Sequence, residues 1–459
     1  MAKKNKTMII ALGVLILLGV GYYGATIHSR NRADASFDQL PPAPTLGNLD
    51  SSEIVRIEGS GMVFEKQDER WELVSLNGEA PPDWIVPDQN ILRSLSFVLA
   101  TLRTERMAEE YPEDLSVYGL DTPSFRTILT DSHGNTAVYL LGDMTPFRTS
   151  YFVMEEGNPN VFVIDVFAAL HVRFTLDDIR SRFLFPHLPL HALTRMQVET
   201  SETLIDISRM PEPRPRHLIS TFSHFVMTSP YRLPRGVDNQ ALESLLTPLN
   251  NRRIEQFVND FPSSLSPYGL DNPVGRFLLE FGEASIELLI GNSTGTARYA
   301  KLANASGVFT ISGLEPFVNI RPFALMDKLV LLMGINEITQ LSISGGERPL
   351  NAAFEGEGRD MVFFLNGRRA DERSFRALFQ NVIILSADAE IPDGNFSPAS
   401  PENITIEYHL KNGERVSITF FPFNRDFYAL SQEGTIEFLV ARSQIRRMFQ
   451  SADMVDYYD

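Results

Sequence analysis

A thirteen-residue pattern occurs twice in this chain and restricts it to a tandem-repeat architecture. The first copy reads YPEDLSVYGLDTP at 111–123, and the second reads FPSSLSPYGLDNP at 261–273. The similarity continues downstream, where AVYLLGD at 137–143 matches IELLIGN at 286–292. Self-similarity at a fixed period marks a structural unit that the chain repeats.

The parts upstream of this pattern also correspond, and they extend the repeat to three units. Each unit opens with a strand-like stretch, and a helical stretch then starts at an aspartate that can cap the helix N-terminus. The strand-like stretches are 54–59, 195–200 and 338–343, the helical stretches are 88–105, 238–250 and 371–383, and the expected caps are Asp88, Asp238 and Asp371.

The third unit keeps this order but lacks the YGLD turn. Its equivalent region reads FSPASPENITIEY at 396–408, and three strand-like stretches and a final helical stretch follow. Terminal repeats are often atypical. Short polar turns such as 131–135 and 411–414 separate the strand-like stretches, which favours antiparallel meanders.

The N-terminus joins a basic leader, MAKKNKT (1–7), to an uncharged apolar run at 8–27. Twenty residues at ~1.5 Å each cross the ~30 Å hydrocarbon core of a bilayer, and the lysines favour a cytoplasmic leader. A cleaved signal peptide is the alternative, but its A-x-A triplet at 33–35 lies well past the apolar run. Tyr22 and Tyr23 suit the membrane interface. We predict an uncleaved single-pass anchor in the bacterial inner membrane, with the bulk of the chain extracytoplasmic.

The predicted fold is therefore α+β, with three tandem repeats of antiparallel β-meander plus helices after one N-terminal transmembrane helix. The polar segment after the anchor contains PPAP and is predicted to be a stalk. The predicted domains are the cytoplasmic leader 1–7, the transmembrane helix 8–27, the stalk or linker 28–49, and the α+β repeats 50–186, 187–333 and 334–459.

Composition excludes several classes of function. The chain has no cysteine, so disulfides, thiolate nucleophiles, cysteine-ligated zinc and iron–sulfur clusters are ruled out. The net charge of −17 repels nucleic-acid phosphates and anionic lipid headgroups. We expect no nucleic-acid partner, and a folded part that stands above the bilayer.

The YGLD-x-P pattern is predicted to be a structural corner between helix and sheet. The glycines suit a position with positive φ. The aspartates can accept a hydrogen bond from their own backbone two residues on, and the prolines favour an extended chain that leads into a strand. The tyrosines and leucines would anchor the loop on the core. A loop that binds a ligand or partner is the alternative. The motif residues are Tyr118, Gly119, Leu120, Asp121, Pro123, Tyr268, Gly269, Leu270, Asp271 and Pro273.

These residues resemble a bacterial domain family of unknown function. Its pattern is a helix, a D-L-S-x-Y-G-L-D-x-P loop and a meander with L-L-I-G-D/N. The resemblance implies a membrane-anchored, often repeated extracytoplasmic protein, frequently encoded near ABC-type export systems similar to gliding-motility transporters. It implies no catalytic residue, and the link to a transporter is association only.

No motif for catalysis, a cofactor or a metal is found. His187 and His191 have helical metal-pair spacing, but Pro186 and Pro189 make a regular helix there doubtful. Serine-hydrolase, zinc-protease, Walker and dinucleotide motifs do not occur. We predict a non-enzymatic membrane-anchored accessory or scaffold protein whose partners are other envelope or transporter proteins. The alternatives are a cell-envelope binding module for polysaccharide or peptide, and a hydrolase of envelope polymers.

Overall fold

The computed structural model describes residues 43–185, 190–218, 221–356, 358–392, 396–398 and 402–458. The chain divides into two compact units, the first ending at Ser181 and the second starting at Arg182. No described helix is long and apolar enough to cross a membrane, and the predicted span at 8–27 lies outside the described residues.

The first unit is built on one antiparallel sheet. Its described strands are β1 (Thr45–Leu46), β2 (Ile54–Gly59), β3 (Met62–Gln67), β4 (Arg70–Leu76), β5 (Leu102–Arg103), β6 (Arg106–Glu109), β7 (Phe125–Asp131), β8 (Thr136–Met144), β9 (Ser150–Glu155) and β10 (Val161–Asp165). Eight of them form the sheet in the order β4-β3-β2-β7-β8-β9-β10-β6, and β1 pairs with β5. The described helices are α1 (Gln89–Ala100), α2 (Val166–Val172) and α3 (Leu176–Ile179), with 3₁₀ turns at Ser51–Glu53 and Leu115–Tyr118.

Helix α1 forms because its N-terminus is capped and one face is apolar. The Asp88 carboxylate accepts from the N–H groups of Asn90 and Ile91 at 2.9 and 3.2 Å, so the predicted cap is confirmed. Leu92 and Leu99 on the inner face are buried. The helix ends at Ala100, earlier than the predicted stretch 88–105, because the chain turns there into strand β5.

The predicted stalk is wrong at its C-terminal end. Within 28–49, Leu46 is buried in the core and β1 pairs with β5. The carbonyl oxygen of Pro44 accepts from the N–H of Thr104 at 2.9 Å and from its hydroxyl at 2.7 Å. These contacts come from residues more than fifty positions away, so the composition of the segment gave no sign of them.

The second unit contains two further antiparallel sheets. The first has the described strands β11 (Arg195–Thr200), β12 (Leu204–Arg209), β13 (Phe225–Ser229), β14 (Arg235–Gly236), β15 (Gln256–Asn259), β16 (Gly275–Phe281), β17 (Ala284–Thr294), β18 (Ala297–Leu302) and β19 (Val308–Ser312). The other has the described strands β20 (Ile338–Gly345), β21 (Leu350–Glu355), β22 (Val362–Leu365), β23 (Arg368–Ala370), β24 (Ala389–Glu390), β25 (Ile404–Leu410), β26 (Arg415–Pro422), β27 (Phe427–Gln432) and β28 (Thr435–Ala441).

Helices flank both of these sheets. The described α-helices are α4 (Asn239–Leu246), α5 (Glu315–Val318), α6 (Pro322–Leu325), α7 (Glu372–Ile383) and α8 (Arg442–Asp453). The described 3₁₀ turns are Leu190–Ala192, Arg216–Leu218, Thr247–Asn251, Ser266–Tyr268 and Gly358–Asp360. Asp238 caps α4 and Asp371 caps α7, as predicted. Helix α4 stops at Leu246 inside the predicted stretch 238–250, and the chain goes on as a 3₁₀ turn.

The three sheets have the same strand order, except that the first lacks the edge strand equivalent to β14 and β23. In each sheet, the first strands of two meanders lie side by side, and a short edge strand pairs with the last strand of the second meander. The orders in the second unit are β14-β13-β12-β11-β16-β17-β18-β19-β15 and β23-β22-β21-β20-β25-β26-β27-β28-β24. The predicted α+β class with antiparallel sheets is thus confirmed for the described residues, and the shared order indicates repeats. The boundaries 50–186, 187–333 and 334–459 remain predictions.

The two sheets of the second unit share one hydrophobic core. A continuous cluster of buried side chains runs through both, from Leu184 to Val455. The ring of Phe438 on β28 lies 5.0 Å from Tyr231 and 6.0 Å from Phe323. The repeat pattern predicts a separate unit for each sheet, but the shared burial makes the two interdependent.

Candidate functional site

The YGLD loop of the first unit is a 3₁₀ turn closed by a left-handed glycine. Asp114 accepts from the N–H of Ser116 at 2.9 Å and starts the turn Leu115–Tyr118. Gly119 follows with φ 65° and ψ 26°, and its N–H donates to the carbonyl oxygen of Ser116 at 3.1 Å. Gly269 in the second unit has φ 67° and ψ 28°. The positive φ predicted for both glycines is confirmed.

The loop packs directly on the strand that carries the second half of the repeated pattern. A Cβ at Gly119 would clash with the carboxylate of Asp143, and a Cβ at Gly142 would overlap the carbonyl oxygen of Tyr118. Gly142 is therefore needed for close approach of the backbone, whereas at Gly119 the neighbour is the end of an exposed side chain and the left-handed φ is what requires glycine. The equivalent contacts in the second unit pair Gly269 with Asn292 and Gly291 with Tyr268.

Tyrosine and leucine side chains of the loop hold it against the sheet. Leu120 and Leu270 are buried. The ring of Tyr118 packs edge-on against Phe152 with centroids 4.9 Å apart, and its hydroxyl donates to Glu109, which raises the pKa of the tyrosine. In the second unit the rings of Tyr268 and Tyr299 are 5.2 Å apart. These contacts give the loop a role in folding.

The hydrogen bond predicted for Asp121 and Asp271 is wrong. The residues two positions on are Pro123 and Pro273, which have no N–H to donate. Both aspartates are exposed. The turn-forming bond is made at the start of the loop by Asp114 instead.

A surface groove occurs at an equivalent place beside each sheet, between the helix after the first meander and the chain leading into the sheet. We call these grooves 1, 2 and 3, after the order of the sheets. Their volumes are about 410, 430 and 480 Å³. Residues five and eight positions after the helix N-cap line every groove: Arg93 and Ser96, Glu243 and Leu246, and Arg376 and Phe379.

The grooves share a position but differ in chemistry. Groove 1 combines Lys66 and Glu69 with the exposed ring of Phe97. Groove 2 is mixed, with His191, His224 and Arg209 beside Phe225 and Leu242. Groove 3 is mostly apolar, with Leu332, Met333, Ile335 and Ile383, and the loop before β13 contributes Phe222 to it. Cavities of this size hold a few side chains or a small ligand.

A buried ionic cluster joins the two sheets of the second unit. Arg235 on β14 donates to Glu437 on β28 at 2.9 Å and to Gln432 on β27, and its guanidinium lies 4.6 Å from the ring centroid of Phe438. The side chains of Arg235 and Glu437 are only 8 % and 11 % exposed. Burial lowers the pKa of Arg235, and Glu437 opposes that shift. The cluster fixes how the two sheets pack.

His217 lies beside this cluster, and one of its ring nitrogens is buried without a hydrogen-bond partner. Its Nε2 is 2.6 Å from the carbonyl oxygen of Pro234, an arrangement in which Nε2 carries the proton. Its Nδ1 is buried without a hydrogen-bond partner, and the nearest carboxylate oxygen of Glu433 is 3.5 Å away. A polar cavity of about 240 Å³ adjoins the ring.

Of the histidine pair considered as a metal site, only His191 lies in the described residues. His191 is exposed on the turn Leu190–Ala192, where its carbonyl oxygen accepts from Arg209, and His187 lies outside the described residues. Among the described residues, no group of three His, Asp or Glu side chains is placed to hold a metal ion.

The YGLD loop was predictable from the sequence, whereas the grooves and the buried cluster were not found there. The grooves could have been sought at fixed positions after the three aspartate caps. The cluster had no such signal, because Arg235 and Glu437 are about two hundred positions apart.

Residues 71–217 and 226–388 match the domain of unknown function DUF4340. Each match begins in the third strand of a sheet and ends in the following repeat. A search of curated proteins and a search of solved structures gave no match. Because the two matches cover more than half of its residues, this chain belongs to the DUF4340 family.

Proposed function

We propose that this protein is a non-enzymatic, single-pass membrane-anchored extracytoplasmic scaffold that binds partner proteins in its three grooves. The observation that carries the proposal is a groove at the same helix positions beside all three sheets, lined by different residues in each. A repeated scaffold whose grooves have different linings is better suited to binding different segments of partner proteins than to catalysing one reaction. The family resemblance adds the partner class, the proteins of an ABC-type export or envelope complex.

The location rests on the sequence alone. The uncharged run at 8–27 with its basic leader supports an inner-membrane anchor with the folded units outside. Protease added to spheroplasts should digest residues 51–459 while the anchor stays in the membrane pellet. Full protection of those residues, or release of the protein into the soluble fraction, would contradict the topology.

The binding role is tested by substitutions at exposed groove residues. Phe97 in groove 1 and Phe222 in groove 3 are 67 % and 77 % exposed, so Phe→Asp at either should leave the fold intact. Tagged full-length protein is purified from detergent-solubilised membranes and its partners are identified. We expect each variant to lose partners that the parent protein retains.

Phe261 provides the matched control. It is 65 % exposed on the YGLD loop of the second unit and lines none of the three grooves. Phe261→Asp should keep every partner. If the two groove variants also keep every partner, the grooves are not the binding sites. Turnover of an envelope polymer by the purified protein would favour the hydrolase alternative.

Deletion of the third repeat is a poorer test. The second and third sheets share one core, so removing 334–459 would expose the buried side chains of the second sheet. Loss of partners would then report unfolding rather than loss of a binding surface.

A further inference from the structure

An apolar hairpin tip projects from the first sheet. Strands β8 and β9 are joined by Thr145–Thr149, in which Phe147 is 89 % exposed, more than any other large apolar side chain in the described residues. Met144 at the base is partly exposed, and Val117 on the adjoining YGLD loop is 68 % exposed. From Met144 to Ser150 the hairpin carries no carboxylate, and Arg148 is its one charge.

The hairpins at the equivalent position in the other two sheets have different tips. In the second sheet Thr294 pairs with Ala297, so a two-residue Gly–Thr turn closes the hairpin. In the third sheet the tip is Phe423–Asp426, in which the ring of Phe423 packs against Phe396 and the exposed residues are polar. Among the described hairpins at this position, the first alone presents an exposed aromatic ring.

The hairpin tip lies where the chain enters the first unit. The carbonyl oxygen of Pro44 is bonded to Thr104, and the next residue, Glu105, accepts from the Ser150 hydroxyl at 2.9 Å. The carbonyl oxygen of Ser150 in turn accepts from the N–H of Thr145 at 2.9 Å. Two hydrogen-bonded steps therefore connect the entering chain to the base of the hairpin.

The covalent chain limits how far this end can stand from the anchor. Fifteen residues, 28–42, separate the predicted span from Ala43. At ~3.3–3.6 Å per residue they reach at most about 54 Å. Under the topology proposed above, the chain from the membrane enters the first unit at the end that carries Phe147.

We propose that the Phe147 tip inserts into the interfacial region of the bilayer that residues 8–27 span. The inference rests on the anchored topology proposed above. An aromatic ring with an adjacent arginine suits that region, where rings sit at headgroup depth and a cation can pair with phosphate. The acidic charge of the rest of the chain disfavours a flat approach, so contact is confined to the tip at 144–150, which lacks carboxylates. This refines the expectation that the folded part stands clear of the bilayer.

The absence of cysteine makes the test specific. Full-length protein carrying Thr149→Cys is labelled with an environment-sensitive fluorophore and reconstituted into phosphatidylethanolamine–phosphatidylglycerol vesicles. Thr149 is exposed next to the tip, and its substitution leaves Phe147 in place. We expect blue-shifted emission that spin-labelled lipids quench, and loss of both effects when Phe147→Asp is added. A label at His133→Cys, in the exposed β7–β8 turn, should show neither effect.

The outcomes separate the tip from the anchor. Resistance of the vesicle-bound protein to alkaline extraction reports the anchor independently of the label. Anchored protein without lipid quenching at Thr149→Cys would overturn the tip contact and leave the anchor standing. A blue shift seen only in native membranes, without lipid quenching, would assign the tip to a protein partner and also overturn the proposal. Protein that extracts from the vesicles would remove the anchor and the tip contact together.

Discussion

Substitution of Arg235 by Met should weaken the second unit alone. The change removes the cation of a nearly buried ion pair and leaves Glu437 without its main partner. Removing one partner of a buried pair costs about 3–5 kcal/mol. Glu437 keeps the N–H of Arg232 as a donor at 2.7 Å, and methionine refills part of the volume. We therefore expect a loss of about 2–4 kcal/mol in the free energy of unfolding.

The positions of the two tryptophans allow the unfolding of the two units to be followed separately. Trp71 and Trp84 both lie in the first unit, whereas far-UV circular dichroism reports on all three sheets. In urea unfolding, the dichroism transition of Arg235→Met should move to lower urea, and the tryptophan transition should stay in place. Because the cluster joins the two sheets across their shared core, the variant should also show a broader transition in the second unit.

A surface arginine provides the control. Arg276 is half exposed and lies 3.7 Å from Glu287, so Arg276→Met should cost only about 0–1 kcal/mol. The double variant Arg235→Met with Glu437→Gln should recover part of the stability, because it removes the unpaired charge. Equal effects of the Arg235 and Arg276 substitutions would refute the reasoning that the buried cluster holds the two sheets together.

Three further predictions concern the loop and a helix cap of the first unit. Gly119→Val should lower the free energy of unfolding by about 1–3 kcal/mol through backbone strain and the clash with Asp143. Gly134→Val, which has open space around its Cβ, should lack the clash and cost less. Equal losses of melting temperature in the two variants would argue against the packing role of Gly119. Asp114 has a lowered pKa because the hydroxyl and N–H of Ser116 donate hydrogen bonds to its carboxylate. Its contribution to the stability of the fold is therefore full above the unfolded pKa and is lost as the pH falls through the folded pKa. The difference in melting temperature between the parent protein and Asp114→Asn should shrink from pH 7 towards about pH 2.5, and a constant difference would contradict this. Asp88→Ala should cost about 1 kcal/mol by removing the cap of α1, which urea unfolding followed by tryptophan emission can detect.

Much of the local structure was readable from the sequence because its causes are local. Strands Ile54–Gly59 and Arg195–Thr200 have the predicted ends, and Asp88, Asp238 and Asp371 cap the predicted helices. A cap and the N–H groups that it bonds are two or three residues apart, and a left-handed glycine is needed wherever a turn of this kind closes. Errors arose where a distant contact intervened, as at β1 within the predicted stalk.

The sequence by itself determined that the chain repeats an α+β pattern, that a capped helix follows the first strands of each repeat, and where two of its loops need glycine. Only the tertiary structure decided which strands are neighbours, that the second and third sheets share a core, and that Arg235 meets Glu437. The same division applies to the candidate sites: the YGLD pattern was visible in the sequence, whereas the grooves and the Phe147 tip were not. Local hydrogen bonds and backbone conformation depend on adjacent residues, but burial and charge pairing depend on residues that folding brings together from hundreds of positions apart.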